Sequence, residues 1–144
     1  MGAAGRTGAN RRGALRARRR TSDLLFNGRD YDAAEGVWSE GYIRHSALIA
    51  PGREALFNRV RSLPSLRYEN QFTVAEGDYV VLYGRFSGIN PQAMVTANVV
   101  RVQDGRLAEH WDIWEKEATK AESLSGLPMF GDRFPDEQLP ASMP

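Results

Sequence analysis

Two ionisable side chains on one predicted strand are the strongest candidates for chemistry in this sequence. His110 and Asp112 stand two positions apart, and side chains at i and i+2 of a strand project from the same face. Trp114 shares that face, and its large apolar ring would be costly to leave in water. We therefore expect a partly enclosed face on which an imidazole and a carboxylate could transfer protons. In the alternative, this face is exposed and polar, and the core is formed by Leu107, Trp111 and Ile113.

The remaining polar candidates are His45, the only other histidine, and Asn98, a polar residue in an apolar run. His45 could belong to the same site, or it could be a core histidine that bonds a backbone carbonyl. A metal site of two histidines and one carboxylate, formed by His45, His110 and Asp112, has suitable ligand types. The sequence brings together only the last two, so we do not favour it. There is no phosphate-binding glycine loop, no nucleophile elbow and no His-Glu-x-x-His motif.

The turn at Gln103-Asp104-Gly105 decides which residue faces Asn98 across the last hairpin. If Asp104 and Gly105 form a two-residue turn, residue 102 pairs with 107 and Asn98 faces Trp111. If all three residues form the loop, residue 102 pairs with 106 and Asn98 faces His110. We favour the second register, because it brings Asn98, His110 and Asp112 within hydrogen-bonding reach.

The elements that must position these residues are two or three helices followed by strands. Apolar spacing predicts a helix from about Ala14 to Phe26, a second over Arg29–Trp38, and a third that begins at Ala50-Pro51-Gly52. A short β-like segment at 42–46 separates the last two helices. The period then changes to two, which predicts four long strands at about 66–74, 79–86, 92–102 and 106–115, with Glu76-Gly77-Asp78 as the first hairpin turn. This order predicts an α+β domain with helices on one face of a curved antiparallel sheet.

Composition sets the limits of this domain. The chain has 144 residues and no cysteine, which excludes disulfides and thiolate metal sites. Residues 1–22 hold seven arginines and no acid, which leaves 12 basic and 18 acidic residues in the rest of the chain. We predict a disordered basic arm at 1–13, one domain at 14–130 and a C-terminal tail at 131–144. In the stretch from Ser123 to Pro144, which is rich in Pro and Gly, the predicted anchors are Leu127, Met129 and Phe130. The arm lacks groups that read bases, and no apolar run could span a membrane, so we expect neither specific nucleic-acid binding nor a membrane partner.

Several motifs together resemble a known family. In chain order they are Phe26-Asn-Gly28, Tyr42-Ile-Arg-His45, Glu76-Gly-Asp-Tyr-Val-Val-Leu82, Arg101-Val-Gln-Asp-Gly-Arg-Leu107 and Glu109-His-Trp-Asp112. They resemble the SnoaL-like polyketide cyclases of the nuclear transport factor 2-like superfamily, over about residues 24–130. The resemblance implies a cone-shaped barrel with a cavity at its wide end, no cofactor, a catalytic Asp112, and His110 and His45 in the same cavity.

The sequence and the resemblance together favour a cofactor-independent acid/base enzyme that acts next to a carbonyl of a small hydrophobic substrate, as an aldol cyclase or an isomerase does. The alternative is a module of the same fold that binds a small ligand or dimerises without catalysis. We expect a cytoplasmic homodimer. The predicted catalytic residues are Asp112, His110 and His45, and the predicted substrate-binding residues are Trp38, Tyr42, Phe86, Asn98, Trp114, Met129 and Phe130.

Overall fold

The computed structural model describes residues 22–89 and 91–137. The predicted arm at 1–13 and the start of the first predicted helix lie outside the described residues. The strands are β1 Trp38–His45, β2 Arg67–Glu76, β3 Tyr79–Ser87, β4 Met94–Gln103 and β5 Arg106–Lys116. The helices are α1 Tyr31–Glu35 and α2 Arg53–Arg61, preceded by a short π-type helical segment at Ser22–Asn27. Within the described segments, no helix is long and apolar enough to cross a membrane.

The five strands form one sheet in the order β1-β5-β4-β3-β2. The α+β class and the helices packed on a curved sheet are confirmed, but the sheet is mixed and not wholly antiparallel. β1 pairs parallel with β5, so that Arg44 lies beside His110. A parallel pair needs a long connection, and here α2 and three strands supply it.

The second helix is shorter than predicted, and Trp38 lies in a strand instead. Asp30 caps α1 by accepting a hydrogen bond from the backbone N–H of Ala33 at 3.1 Å. The helix ends at Glu35, and the backbone N–H of Leu107 donates to the carbonyl of Val37 at 2.8 Å. That bond draws the chain into the sheet, which is why the helical spacing of Val37 and Trp38 does not continue the helix.

The last hairpin has the two-residue turn of the first predicted register, but the residue opposite Asn98 differs from both predictions. Asp104 and Gly105 have φ of 53° and 75°, which is the left-handed geometry of a two-residue turn. Val102 therefore pairs with Leu107, and the favoured three-residue loop is wrong. A bulge after Arg101 then shifts the pairing by one residue, so that Asn98 lies opposite Asp112.

The two faces of the sheet have different environments. We call the face that packs against the helices the inner face, and the opposite one the outer face. The core lies between the inner face and the helices, where Trp38 packs edge-on against Phe57 with ring centroids 5.5 Å apart. On the outer face, Ile113 is 74% exposed and Val74 is 58% exposed. The alternative that placed Ile113 in the core is therefore wrong.

The segment after β5 packs beside the outer face. Glu117 is fully buried, and its carboxylate accepts hydrogen bonds from Arg85 at 2.5 and 2.7 Å. Phe130 and Phe134 are buried, whereas Leu127, which we predicted to be an anchor, is 70% exposed.

Candidate active site

A cavity of about 80 Å³ lies between the inner face and α2. Most of its wall is apolar, formed by Phe26, Leu48, Ile49, Leu56, Val60, Leu63, Leu66, Phe86, Ile89, Met94 and the ring of Trp114. Leu48 and Arg59 also line it and are exposed, so they mark its opening to solvent. Its polar wall consists of Arg44, Asn98 and His110.

His110 is buried at the centre of a hydrogen-bonded chain. Its Nε2 lies 2.9 Å from Asn98 Oδ1, and its Nδ1 lies 3.1 Å from the hydroxyl of Tyr42. That hydroxyl accepts a hydrogen bond from Arg44 Nη1 at 3.2 Å. At the other end, Asn98 Nδ2 donates to Thr96 Oγ1 at 2.9 Å.

The partners of Thr96 and Asn98 fix the direction of the bond between Asn98 and His110 Nε2. Thr96 Oγ1 donates to the carbonyl of Gly84 at 3.5 Å, so it accepts from Asn98 Nδ2. Asn98 Oδ1 is then an acceptor, which requires a proton on His110 Nε2. Because Arg44 donates to the Tyr42 hydroxyl, that hydroxyl can direct its own proton to Nδ1. The chain therefore matches a neutral imidazole with its proton on Nε2.

Asp112 lies beside the polar wall as one half of a buried ion pair. Its Oδ2 accepts a hydrogen bond from Arg44 Nη2 at 3.0 Å, and the two side chains are only 2% and 3% exposed. Asp112 is opposite Asn98 and two positions from both His110 and Trp114, all of which line the cavity. The carboxylate itself is not part of the lining. Arg44 is therefore the member of the pair that lines the cavity.

A sequence model described as a SnoaL-like domain matches residues 19–110, which is more than half of the chain. The chain belongs to the SnoaL-like family. The predicted resemblance is thereby confirmed. The sequence has no significant match among curated proteins.

Solved structures support the fold of this SnoaL-like domain. A candidate ketosteroid isomerase from Kribbella flavida has a TM-score of 0.69 at 17% identity, and covers 87% of this chain and 97% of its own. A candidate polyketide cyclase from Bacillus cereus has a TM-score of 0.62 at 19% identity, with 72% and 74% coverage. An LEH-like epoxide hydrolase from M. tuberculosis has a TM-score of 0.60 at 17% identity, with 80% and 89% coverage. At these identities the comparison establishes the nuclear transport factor 2-like fold.

Some of the predicted site residues of this SnoaL-like domain line the cavity. Phe86, Asn98, His110 and Trp114 do so, and the ring of Trp114 stacks on that of Phe86 with centroids 4.8 Å apart. Tyr42 is buried behind His110 and reaches the cavity only through its hydrogen bond to that residue. The prediction that His110 and Asp112 share an inward face is confirmed by their burial and partners.

Three predicted substrate-binding residues lie away from the cavity. Trp38 is 2% exposed and belongs to the core against Phe57. Met129 accepts a hydrogen bond from the hydroxyl of Tyr83 through its backbone carbonyl, and Phe130 lies beside the Tyr83 ring. Tyr83 alternates along β3 with the inward residues Leu82 and Gly84, so Met129 and Phe130 are on the outer side of the sheet.

His45 is also outside the cavity, contrary to the implication of the resemblance. It is the neighbour of Arg44 in β1, and adjacent strand residues point to opposite faces. Its side chain is 46% exposed, stacks on Trp111 at 4.9 Å and lies 2.9 Å from Glu109 Oε2. The hydrogen bond from His45, together with Arg101, lowers the pKa of Glu109. The metal site that would combine His45 with His110 and Asp112 does not form, and no other group of potential metal ligands occurs within residues 22–89 and 91–137.

Arg44 is the functional residue that the sequence analysis missed. Tyr42 and Arg44 share a face of β1, and the same alternation puts Ile43 and His45 on the other face. This spacing was available in the sequence as a signal. Its partner was not, because Arg44 and Asp112 are 68 residues apart in the chain.

Proposed function

We propose that this SnoaL-like domain is a cofactor-independent enzyme that moves a proton next to a carbonyl of a small hydrophobic substrate. The observation that carries the proposal is the polar wall of an otherwise apolar cavity, where the buried His110 is linked through Tyr42 to the Arg44–Asp112 pair. Enolisation requires a base for the carbon-bound proton and a donor for the carbonyl oxygen. His110 on this wall is such a donor, and Asp112, which is paired with Arg44 of the wall, is such a base.

His110 is the proton donor in the proposed reaction. When the Nε2 proton leaves Asn98 Oδ1 and passes to the developing enolate oxygen, Nδ1 can take the proton of the Tyr42 hydroxyl. The resulting phenolate would lie 3.2 Å from Arg44 Nη1, whose positive charge stabilises it. The imidazole thus gives up one proton and receives another without becoming charged.

Asp112 is the proposed base, because its buried carboxylate lies among residues that line the cavity. In the described conformation Arg44 lines the cavity and Asp112 does not, so catalysis requires the Asp112 side chain to reach the cavity when substrate binds. Two solved structures with the same fold are a candidate ketosteroid isomerase and a candidate polyketide cyclase. Both names refer to compounds that contain ketone groups, which is consistent with the proposal.

The experiment is hydrogen–deuterium exchange at the α-carbon of cyclohexanone in D₂O, followed by proton NMR. We expect the protein to accelerate exchange above the buffer rate, and Asp112→Asn to lower that acceleration by a factor of about 10² to 10⁴. His110→Ala should produce a smaller loss. Glu109→Gln is the matched control, since Glu109 belongs to the same strand and faces away from the cavity. Exchange by Asp112→Asn at the wild-type rate would show that Asp112 is not the base.

A module that binds a ligand without turnover is the second candidate. It is favoured by one observation, namely that Asp112 is held by Arg44 and does not line the cavity. Binding of the ketone by wild-type protein without accelerated exchange would support this candidate over the enzyme.

We also propose that the domain forms a homodimer through the outer face of its sheet. Ile43, Phe72, Val74, Tyr79, Val81 and Ile113 are all between 37% and 74% exposed, and a contiguous apolar face is unusual on a monomer. Light scattering should give the mass of a dimer at micromolar concentration, and Ile113→Lys should give that of a monomer. A wild-type monomer would reject the proposal. Location in the cytoplasm stays a prediction.

A further inference from the structure

Two buried N–H groups that belong to cavity-lining residues lack a hydrogen-bond acceptor. Arg44 Nε and Trp114 Nε1 have no partner among the described residues, and both residues line the cavity. A buried donor without a partner costs stability. A phenylalanine at position 114 could keep the stacking on Phe86 without that cost, so the indole N–H calls for a functional explanation.

The amide oxygen of Asn98, on the cavity lining, is already engaged, and so is one of the two carboxylate oxygens of Asp112, which lies outside the lining. Asn98 Oδ1 accepts from His110, and Asp112 Oδ2 accepts from Arg44 Nη2. The polar wall therefore offers hydrogen-bond donors to a ligand and has little capacity to accept from one. A ligand oxygen that only accepts matches this wall better than a hydroxyl group, whose proton would also need an acceptor.

The charge balance favours a neutral ligand oxygen. The guanidinium of Arg44 is compensated by Asp112 at 3.0 Å, and both side chains are buried. A carboxylate placed beside this neutral pair would bring a second, uncompensated negative charge out of water, which is unfavourable. Arg59, the other cation of the lining, lies at the exposed opening, where water and salt screen its charge. The volume of about 80 Å³ suits a molecule of only a few non-hydrogen atoms, since one water needs about 15 Å³ of such space.

We propose that Arg44 Nε–H and Trp114 Nε1–H form a donor subsite for the carbonyl oxygen of a neutral, largely apolar ligand. The proposal rests on the proposed function and deepens it, because it assigns which groups hold the oxygen and excludes alcohols and acids as preferred ligands. Arg44 and Trp114 are then positioning residues for the carbonyl. His110 remains the proposed proton donor.

The test is an NMR titration of ¹⁵N-labelled protein with cyclohexanone, cyclohexanol and cyclohexanecarboxylate. The indole N–H signal of Trp114 is assigned in the wild-type protein from nuclear Overhauser effects to the ring of Phe86, on which Trp114 stacks, and independently from its loss in Trp114→Phe. We expect the ketone to move this signal downfield as a hydrogen bond forms, and to bind about 10-fold more tightly than the alcohol or the acid. Trp114→Phe should weaken ketone binding by a similar factor. Trp111→Phe is the matched control, because Trp111 lies on the outer face, where its ring stacks on that of His45, and does not line the cavity. This variant should bind the ketone as wild type does.

Several results would overturn the proposal. Ketone binding that leaves the Trp114 indole signal unmoved would do so, as would equal or tighter binding of the alcohol or the acid, or no binding of any of the three. The wild-type titration decides these outcomes even if Trp114→Phe does not fold. A ketone that shifts the Trp114 signal but undergoes no exchange in D₂O leaves the subsite standing and rejects the enzyme. Accelerated exchange without a shift of the Trp114 signal supports the enzyme and rejects the subsite.

Discussion

Removal of the Asp112 carboxylate should strongly destabilise the fold, because it leaves the guanidinium of Arg44 buried without its counter-charge. The two side chains are 2% and 3% exposed, and the bond between Asp112 Oδ2 and Arg44 Nη2 is 3.0 Å long. Breaking one side of such a buried pair costs about 3–5 kcal/mol. Since a domain is stable by only about 5–15 kcal/mol, Asp112→Ala should lose a large part of its free energy of unfolding.

The pair as a whole should be replaceable. Burial of two charges costs about as much as their attraction returns, and well-packed apolar residues are often as stable. We therefore expect the double variant Arg44→Met/Asp112→Leu to recover most of the stability that Asp112→Ala loses, while it lacks any activity. Asp112→Asn should fall between wild type and Asp112→Ala, because its amide oxygen can still accept from Arg44.

Urea denaturation followed by tryptophan fluorescence measures these differences. Glu109→Ala is the matched control on the same strand: the side chain of its partner His45 is 46% exposed, and exposed pairs contribute little. The reasoning is refuted if Asp112→Ala is no less stable than Glu109→Ala. It is also refuted if the double variant is at least as unstable as Asp112→Ala.

Two further predictions concern packing and pH. An added Cβ at Gly84 would lie 2.3 Å from the ring of the buried Tyr68, so Gly84→Ala should lower the free energy of unfolding in urea by about 1–3 kcal/mol. Gly41 has open space around it, so Gly41→Ala should lower that free energy little. An equal loss of stability in both variants would contradict the packing argument. The hydrogen bond from His45 lowers the pKa of Glu109 below its usual 4.5. The carboxylate therefore stabilises the fold fully above pH 4.5, and this stabilisation is lost as the pH falls through the lowered pKa. The melting temperatures of wild type and Glu109→Gln should converge on acidification from about pH 6 to about pH 3, and a constant difference would count against this linkage.

Local sequence patterns were enough to predict most of the fold and to indicate the family. The change from a period of 3.6 to a period of two separated α2 from the long strands, and the turn residues marked both hairpins. Alternation along β5 put His110, Asp112 and Trp114 on one face, because that relation depends only on the pleat of a single strand. The combination of motifs around Tyr42 and His110 was enough to indicate the SnoaL-like family, which the match over residues 19–110 establishes.

The partners of these residues were decided only by the tertiary structure. Alternation gives the two faces of a strand but not which face meets the core, so His45 was expected inside although its neighbour Arg44 took that position. The bulge after Arg101 moved Asn98 opposite Asp112, and hydrophobic spacing carries no signal for one inserted residue. The parallel pairing of β1 with β5 joined Arg44 to Asp112 across 68 residues. Local spacing cannot specify such a contact, because it depends on how the intervening chain folds back.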